Sequence, residues 1–290
     1  MYSVVGNNMR IVPANGKLSL KNDGSLEIFF LGVGSAFAKT LYQTNFIIIQ
    51  GDTHVVVDFG MTGPMALHNL AGLEMSGIEV ILPTHSHADH VGGLESLVLA
   101  NRYIARRIMG KPKLKMIITE EYERILWDMT LRGGLEWNEQ DEAGKKLSFY
   151  DYFDPIRPAW KGGHERETFE VSVGDIHIEM FRTKHIPEQA HTWQDSFISY
   201  GVYINERVFV SADTRMDLEL LHHYAPISEV MFHDVQFFSG AVHTPLSELQ
   251  SLPADIKQKM YLIHYSDNWQ QHIVADFGGY AQQGYRYIFD

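Results

Sequence analysis

A chain of 290 residues, 45% of them hydrophobic, is long enough to bury a large core, which excludes an intrinsically disordered protein. The formal charge of −12 makes long nucleic acids unlikely partners, because contact with their backbones depends on lysine and arginine neutralising phosphates. The absence of cysteine excludes disulfides and thiolate ligands, so a strong metal site must use histidine and carboxylate. Neither a membrane span nor a secretory signal is indicated, and we expect a cytoplasmic protein.

The first third of the chain predicts the alternating strands and helices of an α/β protein. The runs SLEIFFLGVGSAF, NFIIIQG and THVVVDFG are rich in branched and aromatic residues, which is typical of successive strands. The run PMALHNLAGLEMSG predicts a helix that ends at Gly77. IEVILPTH then predicts a buried strand whose carboxyl end carries a histidine-rich corner, and a further helix follows from about Asp89.

The rest of the chain returns to β structure after a helical segment. Residues 120 to about 166 predict two helices rich in acidic residues and tryptophan, which indicates a helical acidic insertion in a single domain spanning residues 1–290. Further strands are predicted in ETFEVSVGDIHIEMFRTKH, SFISYGVYINERVFVSADT, EVMFHDV and KMYLIHYSD. Because strand runs outnumber helices in both halves, we predict two packed sheets with helices outside.

The corner THSHADH, residues 84–90, predicts binding of two metal ions. Side chains two positions apart in an extended segment point the same way, so His85 and His87 can bind one ion from one side. Asp89 and His90, displaced by the start of the helix, can bind a second ion in the neighbouring space. The alternative is a polar loop whose histidines cap the helix.

Three further residues of ligand type directly follow apolar strands, namely His185 after MFRTK, Asp213 after VFVSA and His264 after MYLI. One histidine at the end of a strand is commonly an ordinary polar side chain. Three such residues together with the corner favour one shared site. His191 competes with His185, and we prefer His185 because it follows the apolar strand directly, whereas His191 lies in a polar loop.

These motifs, with the LGVGSAF loop and the VVVDFG strand, resemble the metallo-β-lactamase superfamily from about Leu26 to Asp276. The resemblance implies an αββα sandwich of two mixed β-sheets with helices on the outer faces. It also implies two divalent ions, the first held by His85, His87 and His185, the second by Asp89, His90 and His264, with Asp213 bridging. Zinc is implied, with Mn²⁺ or Fe²⁺ as alternatives, because such ligands select weakly among these ions. Asp58 of VVVDFG either orients a ligating histidine or is a simple turn residue.

The segment FHDVQFFSGAVHTPLSEL resembles the phosphodiesterase branch of this superfamily, which includes the RNase Z enzymes. In that branch an acidic residue and a later histidine lie beside the metals, and Asp234 and His243 occupy the matching positions. The resemblance implies that His243 protonates the departing oxygen and that Asp234 orients it, with Asp89 a catalytic residue as well as a ligand. The alternative is that Thr244 caps the next helix and His243 is incidental.

The chain lacks the basic arm with which RNase Z enzymes hold tRNA, which favours a small phosphodiester. A further likeness is to anti-Pycsar-type phosphodiesterases, phage and bacterial proteins that degrade cyclic nucleotide signals, and it implies a homodimer acting on 3',5'-cyclic nucleotides. Trp193 and Tyr265 are candidates for stacking on a base. Two alternatives stay open: tRNA 3' processing, and lactone or thioester hydrolysis at the same metal site.

Overall fold

The computed structural model describes residues 9–163 and 165–290. In this part of the chain the strands are β1 (Met9–Pro13), β2 (Leu26–Gly32), β3 (Asn45–Gln50), β4 (Thr53–Val57), β5 (Val80–Leu82), β6 (Leu114–Ile117), β7 (Phe153–Ile156), β8 (Ala159–Trp160), β9 (Thr168–Val173), β10 (Ile176–Arg182), β11 (Tyr200–Ile204), β12 (Val208–Val210), β13 (Val230–Asp234), β14 (Met260–Ile263), β15 (Gly279–Tyr280) and β16 (Tyr285–Phe289).

The α-helices of the described residues are α1 (Gly63–Ala71), α2 (Ala88–Val91), α3 (Leu94–Ala100), α4 (Glu120–Leu126), α5 (Arg132–Leu135), α6 (Phe149–Tyr152), α7 (Leu218–Tyr224), α8 (Leu246–Gln250) and α9 (Ala254–Gln258). Helices α3 and α4 each continue into a π-helical turn, at residues 101–106 and 127–131. None of the helices in the described ranges combines the length and the apolar character needed to cross a bilayer.

The strands form two mixed sheets of eight strands each. The first has the order β1-β16-β2-β3-β4-β5-β6-β7 and the second the order β15-β14-β13-β12-β11-β10-β9-β8. Strands β4 to β7 are parallel in the first sheet, as are β12 to β15 in the second, and the remaining neighbours are antiparallel. With helices on the outer faces, this is the αββα sandwich predicted from the sequence, and that prediction is confirmed.

The core lies between the two sheets and is built largely of aromatic and branched side chains. Phe30 of β2 contacts Phe232 of β13 with ring centroids 4.8 Å apart, and the edge of Tyr287 from β16 completes this contact. Strand β2 is buried along its whole length, since both of its faces are covered. This explains why its sequence reads as a continuous apolar run rather than as an alternating one.

Strand direction brings the polar strand ends together at one edge. Strand β10 is antiparallel to β11, and β11 is antiparallel to β12, so β10 runs in the same direction as β12, β13 and β14. The segments that follow β10, β12 and β14 carry His185, Asp213 and His264, and Asp234 is the last residue of β13. The carboxyl ends of parallel strands are where open α/β sheets place their ligands.

Helix α1 ends earlier than the sequence predicted. Gly72 adopts a left-handed conformation with φ of 61°, and its N–H bonds to the carbonyls of Leu67 and His68, which terminates the helix at Ala71. The second glycine of the run, Gly77, instead closes a short 3₁₀ turn. The predicted helix end at Gly77 was therefore wrong by six residues, because either glycine could terminate a helix.

The segment from residue 120 to 166 is helical only in its first part. Helices α4, α5 and α6 are followed by β7, which pairs with β6 of the first sheet, and by β8, which pairs with β9 of the second. The sequence analysis did not foresee these two edge strands. Tyr122, Leu126 and Tyr152 of the segment are fully buried. The division of the chain into one domain with an insertion stays a prediction.

Protonation of His54 should make the stability of the fold depend on pH. Its Nε2 accepts a hydrogen bond from the Glu79 N–H at 3.1 Å, and burial lowers its pKa to about 4. The unfolded chain therefore binds a proton at this site between pH 6.5 and 4 while the folded chain does not, so stability falls as the pH falls through this window. We expect the free energy of unfolding of the parent to fall by up to about 3 kcal/mol more over this window than that of His54→Gln, which has no imidazole to protonate. Urea unfolding at several pH values measures both. Equal losses would contradict a neutral, buried His54.

Candidate metal centre

The corner after β5 arranges its four ligand-type side chains in two groups. His87 is extended, with φ −69° and ψ 147°, and α2 begins directly after it. His85 Nε2 lies 3.0 Å from His87 Nδ1, and His185 Nε2 approaches the same His87 atom at 3.2 Å. These three histidines and Asp213 place one ligand atom each within 4.8 Å of one another.

The second group contains the residues of the corner that lie on α2. His264 Nε2 is 3.1 Å from Asp89 Oδ2, and His90 Nε2 is 3.4 Å from the same oxygen. Asp213 again belongs to the group, because His90 Nε2 lies 3.2 Å from its Oδ2. The structure thus brings together all seven residues that the sequence predicted as ligands, in the two sets predicted. Their role as ligands remains a prediction.

Asp213 Oδ2 is the atom that the two groups share. It lies 3.2–3.8 Å from nitrogens of five histidines: His85, His90, His185, His243 and His264. It is nevertheless buried without a hydrogen-bond partner of acceptable geometry, as is His90 Nε2. A buried polar atom without a partner is costly, and divalent cations among these nitrogens and oxygens would supply one. The donor set therefore fits two divalent ions bound through nitrogen and oxygen.

The outer nitrogens of three histidines are held by acceptors outside the cluster. His90 Nδ1 donates to Asp58 Oδ2 at 2.7 Å, and His185 Nδ1 donates to the Val242 carbonyl at 2.9 Å. Thr84 Oγ1 donates to Asp58 at 2.8 Å and accepts from His85 Nδ1 at 3.1 Å. Each of these rings therefore keeps its Nε2 for the centre, the arrangement typical of metal-binding histidines. Asp58 is placed to orient His90, as one of the two sequence hypotheses proposed.

Burial and charge set the protonation of the cluster. Burial holds the pKa of His85 well below its usual range and lowers the pKa of His185 to about 4, so both rings are neutral. Burial also opposes charge on His90, but the carboxylates of Asp213, Asp89 and Asp58 outweigh it and raise the pKa of His90 well above its usual range. Neutral rings beside ionised carboxylates are the forms that bind divalent cations, and His85 and His185 are already in that form. An ion bound by His90 would have to displace the proton that the surrounding carboxylates hold on this ring.

His243 and Asp234 form a pair at the rim of the cluster. His243 Nδ1 lies 2.9 Å from Asp234 Oδ2, and its ring stacks on His264 with centroids 4.5 Å apart. Asp234 is fully buried, whereas the His243 side chain is 19% exposed. Thr244 Oγ1 donates to the Thr214 carbonyl, and α8 starts without a side-chain cap. The capping alternative for Thr244 was therefore wrong.

The candidates for base contacts lie away from this rim or in the core. The Tyr265 side chain is buried, donates to the Ala281 carbonyl at 2.7 Å and packs on Trp269, so it cannot stack on a base, and that prediction was wrong. The guanidinium of Arg182 lies over the Trp193 ring, 5.9 Å from its centroid. His191 is exposed in the loop after β10, and only His185 reaches the cluster.

Sequence reasoning missed Gly60, which lets the turn after β4 support the corner from behind. A Cβ atom at Gly60 would lie 1.9 Å from the Asp89 carbonyl oxygen. The Gly60 N–H donates to Asn45 Oδ1 at 2.7 Å, and the preceding Phe59 N–H donates to the His90 carbonyl at 2.7 Å. The only signal was the VVVDFG run itself, because contacts with Asp89 and Asn45 are distant in sequence.

The fold and the cluster define a metallo-β-lactamase fold protein. The crystal structure of the metallo-β-lactamase fold protein YhfI from Bacillus subtilis matches with a TM-score of 0.65 at 14% identity, over 91% of this chain and 99% of that one.

Sequence comparison gives the family. The family model described as anti-Pycsar protein Apyc1 matches residues 26–287. An anti-Pycsar protein Apyc1 from Paenibacillus sp. (strain J14) is 37% identical over 249 residues, covering 85% of this chain and 91% of the relative. Another from Bacillus phage BSP38 is 32% identical over 271 residues, covering 90% and 98%. The chain belongs to the anti-Pycsar Apyc1 family, and this membership together with the buried cluster supports a metal-dependent hydrolase.

Replacing Asp213 should remove the oxygen that joins the two groups. For Asp213→Ala we expect metal affinity to fall at least about 100-fold. Loss of a residue that only hydrogen-bonds to a metal ligand already costs up to about this factor, and loss of a ligand should cost no less. Bound zinc and manganese would be measured by equilibrium dialysis and elemental analysis. Asp128→Ala, on the exposed face of the helical segment, is the matched control. Unchanged metal content in Asp213→Ala would refute the shared-ligand assignment.

Gly60→Ala should displace the corner without removing any ligand. The added methyl group collides with the Asp89 carbonyl, so we expect a loss of about 1–3 kcal/mol in stability together with weaker binding of the ion assigned to Asp89 and His90. Gly133→Ala is the control, because no atom lies within 4 Å of the position that its methyl group would take. Thermal unfolding with and without added metal measures both effects, and parallel behaviour of the two variants would contradict the supporting role of Gly60.

Proposed function

We propose that the chain is a dinuclear-metal phosphodiesterase that hydrolyses 3',5'-cyclic nucleotides to nucleoside monophosphates. The observation that carries the proposal is the position of Asp213 Oδ2, buried without a hydrogen-bond partner between two sets of ligand-type side chains and 3.8 Å from His243 Nδ1. Zinc is the metal we propose for this donor set. The cyclic nucleotide and the homodimer rest on the family resemblance, and the cytoplasmic location stays an expectation from the sequence pattern.

Two divalent ions held by the two groups would offset charge on the phosphoryl oxygens and lower the pKa of the attacking water. The chain's own residues then manage the protons. The bond from water oxygen to phosphorus forms as one ester bond to the ribose breaks. We assign the proton released by the water to the carboxylate of Asp89, which lies beside His264 and His90. The departing ribose oxygen takes a proton from His243.

The geometry of His243 suits the role of proton donor. Its Nδ1 is committed to Asp234 Oδ2, so Nε2 is the nitrogen that can give up a proton. The ring is held on its other side by His264, and its partial exposure leaves it accessible to a substrate at the rim. Asp234 acts as a positioning residue, since it is buried and also accepts from the Thr214 N–H at 3.3 Å.

The paired His243 and Asp234 favour phosphodiester hydrolysis over the two alternatives. A lactone or thioester can lose its leaving group with help from the metals alone and has less need of this pair. A tRNA substrate would require a basic docking surface, yet residues 120–166 contain more acidic than basic residues and the whole chain carries a formal charge of −12. A small anionic diester needs only the contacts at the centre.

The proton-donor role predicts that the effect of His243→Ala depends on the leaving group. For a cyclic nucleotide, whose ribose oxygen leaves as a poor leaving group, we expect kcat to fall about 10²- to 10⁴-fold. For bis(4-nitrophenyl) phosphate, whose leaving group needs no proton, the fall should be much smaller. Metal content should stay at the level of His191→Ala, the control on an exposed histidine. Equal slowing of both substrates would remove the acid role.

Asp234→Asn should also slow cyclic nucleotides more than bis(4-nitrophenyl) phosphate, but by a smaller factor than His243→Ala. It leaves His243 in place and removes only the carboxylate that orients it. A combined variant that is no slower than His243→Ala alone would show that the two residues act as one unit. Additive losses would instead assign Asp234 a separate function.

A further inference from the structure

A neutral cavity of about 530 Å³ is lined by residues of the loop that carries His243. Phe237 and Phe238 form one wall, Gln250 of α8 a second, and Gln271, His272 and Ile273 a third. Among the described residues that line it there is no lysine, arginine, aspartate or glutamate. Three other cavities, of about 330 to 570 Å³, are all lined by such charged side chains. In a protein of net charge −12, a cavity without charge fits an uncharged group.

The residues that line the cavity lie on two short segments that also carry residues of the metal centre, the loop with His243 and the stretch after His264. The Gln236 N–H bonds to the Thr244 carbonyl at 2.9 Å and the Leu246 N–H to the Gln236 carbonyl at 2.8 Å. These bonds hold the two ends of the loop of residues 237–244 together, so that Phe237, Phe238 and His243 belong to one closed turn. The third wall lies on the segment that follows His264.

The two segments contact each other twice, once at the centre and once at the cavity. At the centre the His243 ring stacks on His264. At the cavity the Phe237 ring stacks on His272, with centroids 3.9 Å apart and an interplanar angle of 8°. The cavity is therefore bounded by the same two segments that carry His243 and His264, and Pro245, two residues after His243, is part of its lining.

The lining matches a planar heteroaromatic ring with polar edges. Phe238 is 63% exposed and Ile273 is 82% exposed, which leaves apolar surface for a ring to cover. The side-chain amides of Gln250 and Gln271 form no hydrogen bond with the described residues, so their donors and acceptors are available to a ligand. Flat rings that stack on aromatic side chains while amides contact their edges are how proteins bind nucleobases.

We propose that this cavity is the nucleobase subsite of the enzyme, with Phe238 and the Phe237–His272 stack as its ring contacts. The inference rests on the proposed function and refines it by naming what selects the substrate. It replaces Trp193, whose ring is covered by Arg182 and whose cavity is lined by charged residues. Stacking tolerates every base, so the subsite favours nucleotides over base-free diesters more than one base over another.

The test compares substrates that differ only in the base. The metal-loaded protein would be assayed with a purine and a pyrimidine 3',5'-cyclic nucleotide and with 1-O-methylribose 3',5'-cyclic phosphate, which has the same reacting group and no base. For Phe238→Ala we expect KM for both nucleotides to rise about 5- to 50-fold, with kcat nearly unchanged and no change for the base-free diester. His272→Ala should behave similarly. Tyr150→Ala, an equally exposed aromatic residue of the helical segment, is the control.

Three outcomes would overturn the subsite: equal changes for nucleotides and the base-free diester, no change in Phe238→Ala, or the selective loss appearing in Trp193→Ala instead. A parent protein that hydrolyses none of the three diesters would refute the proposed function separately. In that case binding of a nucleoside monophosphate, followed by NMR chemical shifts, decides the subsite. Weaker binding to Phe238→Ala than to Tyr150→Ala would support it, and equal binding would overturn it.

Discussion

A carboxylate oxygen buried among imidazoles dominates the arrangement of this protein. A buried charge costs several kcal/mol unless it is paired. Nitrogens from four separate segments of the chain surround Asp213 Oδ2 at 3.2–3.8 Å but leave it without a hydrogen bond. Those segments reach the same place because β5 of one sheet and β10, β12 and β14 of the other end at a common edge. The sandwich fold therefore supplies, through strand direction alone, the convergence that a two-ion site needs.

Much of this could be predicted from the sequence, because the governing signals are local. Continuous apolar runs indicate buried strands, and residues that directly follow them must emerge at the sheet edge. The three histidines and one aspartate of THSHADH lie within seven positions, so their grouping follows from extended and helical geometry. The His185 assignment over His191 depended on the same reasoning, and only His185 reaches the cluster.

The predictions that were wrong or missing depend on contacts between residues distant in sequence, which a local sequence pattern does not show. Gly72 and Gly77 are equally able to end α1, and packing chooses between them. Tyr265 directly follows His264 in sequence, yet its side chain is buried in the core, where it packs on Trp269 and Tyr280. The backbone of His264 is left-handed, with φ of 58°, so the alternation of an extended strand does not predict where Tyr265 points. Gly60 matters through a carbonyl that is distant in sequence. Strand β7, with the sequence FDPI, contains an aspartate and a proline, and β8 has only two residues, so neither gives a strand pattern.

The helical segment is more closely tied to the centre than its composition indicates. Tyr122 of α4 is fully buried, and its hydroxyl lies 3.2 Å from Ser86 Oγ, between His85 and His87. A change on this segment can therefore reach the corner through one contact, although its outer face is acidic and exposed.

The closed turn between Asp234 and His243 separates two tasks on one short piece of chain. Hydrogen bonds of Gln236 with Thr244 and Leu246 hold its two ends together, while Phe237, Phe238 and Ser239 line the neighbouring cavity. Because Phe238 at the tip is exposed, a substitution there changes the wall of the cavity while the hydrogen bonds that hold the two ends of the turn stay in place.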